Sequence, residues 1–157
     1  MVEKKFRSWR IGTVNIRTGK KDIKLENVVH QINRARLAIC GLQEVRRLGT
    51  DACVIESTTS ESTNKYEVHW SGHAVKRQHG VGIAILIDDA IDIIEVTPVS
   101  ARLIVLDVVV YGCSLKVINC YAPTETDTDA AKNAFYQALN KLLRGWEGRR
   151  GCQVDLL

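Results

Sequence analysis

Leu25, Val28, Val29 and Ile32 fall at i, i+3, i+4 and i+7, a spacing that predicts a helix over residues 23–36. Ahead of it, Trp9 to Asn15 predicts a short strand, with Trp9 and Ile11 as apolar positions and a polar stop at its end. Arg17 to Asp22, with Gly19 inside, predicts a turn. Leu37 to Leu42 is an unbroken apolar run, the pattern of a strand buried on both faces in a parallel sheet. The first 45 residues therefore spell strand, helix, strand, and a right-handed crossover makes the two strands parallel.

Residues 57–65 are predicted to be a polar loop. After them, Val- and Ile-rich strand candidates occupy 66–71, 80–87, 91–97, 102–110 and 115–121. Ser71-Gly72, Asp88-Asp89, Pro98 and Gly112 punctuate them, and so many strands without intervening helices predict antiparallel hairpins. Ala130, Ala134, Phe135, Ala138, Leu139, Leu142 and Leu143 then form an amphipathic helix with Asp127 or Thr128 as its N-cap. Gly145, Gly148 and Gly151 disfavour helix beyond Arg144, and Val154 to Leu157 is too short to predict a strand. The class is α/β with a mixed sheet. It divides into a basic tail (1–8), a main domain portion (9–144) and an irregular C-terminal tail (145–157), and an α/β sheet stopping after a helix has the look of an interrupted domain.

The 157 residues suit one domain, and 45% apolar with 25% charged content excludes global disorder and collagen-like repetition. The longest apolar run, Val81 to Ile87, is too short for a membrane span, and no apolar segment follows the basic start as in a secretory signal. A membrane partner is not expected. The net charge of +4 is uneven: residues 1–24 hold eight basic residues against Glu3 and Asp22, leaving 14 basic and 16 acidic elsewhere. That basic stretch reads either as a solvated end or as the footprint of a phosphate-binding surface. Five cysteines, an odd number without Cys-x-x-Cys, suit a reduced intracellular protein with no disulfide-linked partner. His69, His73 and His79 lack paired cysteines, so zinc is not expected and they read as ordinary surface or strand histidines.

Candidate chemistry lies at strand ends. Asn15 follows the first strand, and Glu44 the second, at the carboxyl edge where open α/β sheets bind ligands. An amide beside a carboxylate suits a hard cation such as magnesium, which needs one or two carboxylates plus substrate phosphate. Glu44 reads equally as a loop residue paired with Arg46 or Arg47. Tyr121, closing Val117–Cys120, reads as a hydrogen-bond donor to phosphate or as a packed rim aromatic.

Five blocks in order, Arg10–Thr18, Gly41–Arg46, Gly80–Ile83, Ser100–Ile104 and Asn119–Thr124, resemble the endonuclease/exonuclease/phosphatase superfamily. The likeness is nearest to its retrotransposon-type endonucleases and craniofacial development protein 2-like members. It runs through most of this chain but only the amino-terminal half of the family's domain. The resemblance implies a DNase I-like four-layer α/β sandwich with two packed mixed sheets, and hydrolysis of phosphoesters with Mg²⁺ or Mn²⁺. By the same resemblance Asn15 orients metal and scissile phosphate, Glu44 binds the metal, and Tyr121 lies near the phosphate. Arg102 is implied as a substrate-backbone or structural contact, and Arg17 and Arg46 as substrate-side residues. DNA is the implied partner, in an intracellular setting, the nucleus included. Arg17 stands where apurinic-site members often carry an acid, which favours the retrotransposon-type branch. The family's Gly-Asp-x-Asn and Asp-His motifs do not occur in these 157 residues. The expectation is therefore a weak or inactive hydrolase portion, with a non-catalytic nucleic-acid-binding remnant as the alternative.

Overall fold

In the computed structural model, residues 9–145 and 153–157 are described, residues 153–156 by backbone alone. The basic tail and the arginines at 149 and 150 lie outside the described residues. β1 (Ile11–Asn15), α1 (Asp22–Arg34) and β2 (Ile39–Gln43) form the predicted unit, with β1 and β2 parallel and Asn15 level with Gln43. β3 (Thr50–Thr58), β4 (Thr63–Ser71) and β5 (Val81–Leu86) follow as antiparallel neighbours, giving a five-stranded sheet in the order β1-β2-β5-β4-β3. A second sheet, β6-β7-β8-β9, comprises β6 (Ile91–Ser100), β7 (Leu103–Val110), β8 (Cys113–Cys120) and β9 (Gln153–Leu156). The helix α2 (Asp129–Arg144) links β8 to β9.

Two expectations need correcting. The predicted loop over 57–65 contracts to a four-residue connection, because β3 runs to Thr58 and β4 starts at Thr63. Thr-rich ends carry little hydrophobic signal, yet their β-branched backbone suits an edge hairpin. The C-terminal tail is not wholly irregular: β9 pairs in parallel with β8, Leu115 to Ile118 opposite Gln153 to Leu156. Four residues too few to announce a strand alone become one when a neighbouring ladder supplies their hydrogen bonds.

The layers follow from residue alternation. Even positions Cys40 and Leu42 of β2 join Leu25, Val29 and Ile32 of α1 in one core. Its odd position Ile39 joins Val81, Ile83 and Ile85 against Ile104, Leu106, Val108 and Val117 of the second sheet. Leu103, Val105 and Ile118 on that sheet's outer face meet Phe135 of α2. The result is helix, sheet, sheet, helix. All five residues of β2 are buried, as its unbroken apolar run requires. Thr128, not Asp127, caps α2 by accepting the Ala131 amide. No helix among the described residues is long and apolar enough to cross a membrane.

One polar residue crosses the dry space between the sheets. Asn119 of β8 is fully buried; its Nδ2 donates to the Leu42 and Gly82 carbonyls at 3.0 and 2.6 Å, and its Oδ1 accepts Gln43 Nε2 at 2.7 Å. Gln43 Nε2 also donates to Thr13 Oγ1 at 2.6 Å, so β1, β2, β5 and β8 share one network. Gly41 makes room for it, since a Cβ there would lie 2.7 Å from Asn119 Oδ1.

Candidate active site

The Asn119–Gln43 bond sets the level at which the two sheets meet, and the strand ends just beyond it carry the candidate chemistry. Glu44 follows Gln43, and Tyr121 lies two residues after Asn119. Asn15 Nδ2 donates to Glu44 Oε1 at 2.8 Å, and the Tyr121 hydroxyl donates to the same oxygen at 3.2 Å. Arg46 donates to Glu44 Oε2 at 2.6 Å. Residues separated by up to 106 positions in sequence thus converge on one carboxylate whose side chain is 17% exposed.

Loops knit the rim. The Arg17 amide donates to Asn15 Oδ1 at 2.9 Å, fixing which end of the carboxamide faces Glu44, while the Arg17 side chain is exposed at the edge. Gly19 N donates to Val45 O and Arg47 Nε donates back to Gly19 O, tying the β1–α1 loop to the loop after β2. Arg47 also pairs with Asp22 and lies over the Trp70 ring at 4.7 Å. Val45 and Arg46 amides donate to Gly80 and His79 carbonyls of the β4–β5 loop. Gly72 of that loop approaches so closely that a Cβ would fall 1.8 Å from Arg47 O.

Arg102 acts from behind. Its guanidinium donates to the Tyr121 and Ala122 carbonyls and to both Asp127 oxygens, each at 3.2 Å, and lies 5.4 Å from the Tyr121 ring centre. With those donors engaged, Arg102 braces the loop carrying Tyr121. Asp127 accepts the Thr124 amide at 2.7 Å and the Thr124 hydroxyl at 3.0 Å. The sequence singled out Asp127 as a helix cap; its partner across the sheet is visible only in three dimensions.

Hydrogen bonds set the charges. Donation from Asn15, then Arg46, holds the Glu44 carboxyl below its ordinary pKa, so it is an anion at neutral pH. Burial, followed by the Glu44 charge, pushes the Tyr121 phenol up and keeps it a donor. The Thr124 amide holds Asp127 below the usual carboxylate range. A carboxyl depressed on folding contributes stability above its unfolded pKa and loses it as pH falls through the folded one. The expected melting profile therefore stays level from pH 7 to about 5 and falls below about pH 4. Asp127→Asn is expected to shallow that fall; an unchanged acid limb in a thermal melt series would show that Asp127 plays no part.

Strain gathers here as well. Arg17, Glu44, Arg46 and His79 all have left-handed backbone, with φ of 58°, 56°, 54° and 53°. Each such non-glycine conformation costs about 1–3 kcal/mol, and such residues cluster where geometry outranks stability. His79 is a site neighbour that residue spacing did not reveal. The other three histidines lie apart, His30 beside Ser57, His69 beside Glu67 and His73 accepting the Val75 and Lys76 amides. No group of three His, Cys, Asp or Glu side chains suited to a metal occurs among the described residues. Cys40, Cys53, Cys113 and Cys120 are free thiols, and burial pushes Cys40 up to about 12.

No protein-family model matches the chain, and no curated protein matches it. Solved structures do. The endonuclease domain of TRAS1, a telomere-specific non-LTR retrotransposon, aligns with TM-score 0.56 and 17% identity over 92% of this chain and 56% of that one. The 3' phosphatase NExo from Neisseria, bound to a product DNA hairpin, aligns at 0.54 and 18% identity over 94% and 56%. Truncated TDP2 of Caenorhabditis elegans aligns at 0.53 and 15% identity over 83% and 51%. The chain spans about half the length of these structures. The mixed α/β architecture, with two stacked sheets between helices, is the DNase I-like fold that these structures share.

Proposed function

We propose that Asn15, Glu44 and Tyr121 form the amino-terminal part of a divalent-metal-dependent phosphodiester hydrolase site of DNA endonuclease type. The observation that carries this reading is their convergence on Glu44 Oε1 from three strand ends. A mere rim tyrosine or a surface ion pair has no need of a carboxamide held in one orientation by the Arg17 amide. The same fold in a retrotransposon endonuclease and in a DNA-bound phosphatase supports the choice of DNA as substrate class.

The donor set fits Mg²⁺ or Mn²⁺ through Glu44. One carboxylate beside a neutral amide and phenol suits a hard ion that keeps several waters and takes phosphate oxygens as further ligands. Bound there, the ion would supply charge neutralisation on the phosphate. Asn15 holds the Glu44 carboxylate in place, and Tyr121 presents a neutral O–H where charge develops on a phosphate oxygen. Arg46 is the mobile cation of the set: half exposed, it can leave Glu44 for a phosphate. Arg17 offers a second positive charge from the opposite rim.

Without a Gly-Asp-x-Asn or Asp-His motif, these 157 residues lack the family's acid/base groups, which typically contribute roughly 10²–10⁴-fold. The expected outcome is little or no nicking of supercoiled plasmid in Mg²⁺. Robust nicking by a pure preparation, abolished by Glu44→Ala, would overturn the inactive reading while upholding the site. A non-catalytic nucleic-acid-binding role is favoured by one observation, the exposed Arg17, Lys76 and Arg77 on loops around the site. It predicts DNA affinity that falls steeply with salt with or without Mg²⁺.

A further inference from the structure

His79 holds a costly position without an evident return inside the protein. Its φ of 53° precedes Gly80 at 88°, so two consecutive left-handed residues turn the β4–β5 loop into β5. The main chain of this turn has its own work: the His79 carbonyl accepts the Arg46 amide at 2.8 Å, and Gly80 N donates to Ala101 O at 3.0 Å. Any residue supplies that carbonyl, and glycine would supply it without strain. The imidazole therefore needs a separate explanation.

The ring lies 6.0 Å from the Tyr121 ring, centre to centre, tilted by 41°. It is half-buried, and among the described residues neither ring nitrogen has a hydrogen-bond partner. It faces Arg102, Asp127, Glu44 and Arg46, the groups that surround Tyr121. Burial, then the Arg102 charge, lowers its pKa, which favours the neutral ring with one N–H donor and one acceptor.

We propose that His79 is a further substrate-contacting residue of this site, its ring N–H donating to a phosphodiester oxygen of DNA beside Tyr121. This rests on reading the site as one for phosphodiesters. The side chain is retained in a strained conformation because the ligand, not the protein, completes its hydrogen bonding. The exposed Arg77 lies two residues away, its Cα within about 7 Å of that of His79, and adds a positive charge to the same loop.

The test is fluorescence anisotropy of a labelled duplex oligonucleotide with the full chain across a salt series, in Mg²⁺ and in EDTA, alongside thermal melts. Wild type is expected to bind with affinity that falls as salt rises. His79→Gly is expected to melt at or above the wild-type temperature while binding about tenfold more weakly, the loss of one hydrogen bond to a charged group. His79→Asn, which tolerates left-handed backbone and keeps an N–H donor, is expected to regain part of that affinity. Wild-type affinity in His79→Gly would overturn the assignment and leave the phosphodiester reading standing. A drop in melting temperature that parallels the loss of binding would also overturn it, by showing a structural role. No salt-dependent binding by wild type would bring down the phosphodiester reading, and this assignment with it.

Discussion

Asn119→Ala is expected to lower the unfolding free energy by about 3–5 kcal/mol, measured by urea denaturation with an unchanged m-value. The substitution removes the Asn119 donor from the Leu42 and Gly82 carbonyls and leaves the Gln43 amide with Thr13 alone. Each buried polar group left unpaired costs roughly 1–3 kcal/mol, and the vacated volume adds a cavity term. Gly41→Ala is expected to be costly in the wild type, because its Cβ would meet Asn119 Oδ1 at 2.7 Å. In the Asn119→Ala background much of that cost should vanish, giving a coupling of about 1–2 kcal/mol in a double-mutant cycle. Additive effects would mean that the two residues do not share the space. The same network stands behind the site, so losing it should also loosen Tyr121 from Glu44.

Arg102→Leu is the second large effect, about 2–4 kcal/mol. The guanidinium, 15% exposed, bonds two carbonyls and a carboxylate that have no equivalent donor in leucine. Removing it leaves Asp127 with Thr124 alone and frees the 121–127 segment. Hydrogen exchange supplies the specific readout: the Thr124 amide, which donates to Asp127, should exchange faster while amides of α1 keep their protection. Arg102→Lys should rescue little, since a point-like ammonium cannot span three acceptors in the fork geometry of arginine. Full rescue by lysine would reduce Arg102 to a simple charge.

Arg102 and Asn119 also show where residue patterns stop being informative. The block Ser100–Ile104 drew attention to Arg102 as a substrate-backbone or structural contact. The structure engages it with Tyr121, Ala122 and Asp127, a bracing role that depends on where α2 begins. Asn119 sits in the apolar run Val117–Cys120 with no feature of its own; its importance comes from two carbonyls on the other sheet. His79 was one of three histidines within eleven residues, and only backbone strain and the nearness of Tyr121 separate it from His69 and His73.

Local sequence pattern by itself determined β1, α1, β2, the strands β4 to β8 and α2, but not β3, because burial leaves a repeat of two or 3.6, or an unbroken apolar run, in the order of residues. It also placed Asn15, Glu44 and Tyr121 at strand ends, since a polar residue stops an apolar run. Tertiary structure alone decided that β9 joins β8, that Thr58 and Thr63 belong to strands, and that three strand ends share one carboxylate oxygen. Those outcomes depend on partners that lie up to 106 residues away, and hydrogen bonds across such separations leave no period in a chain to be read.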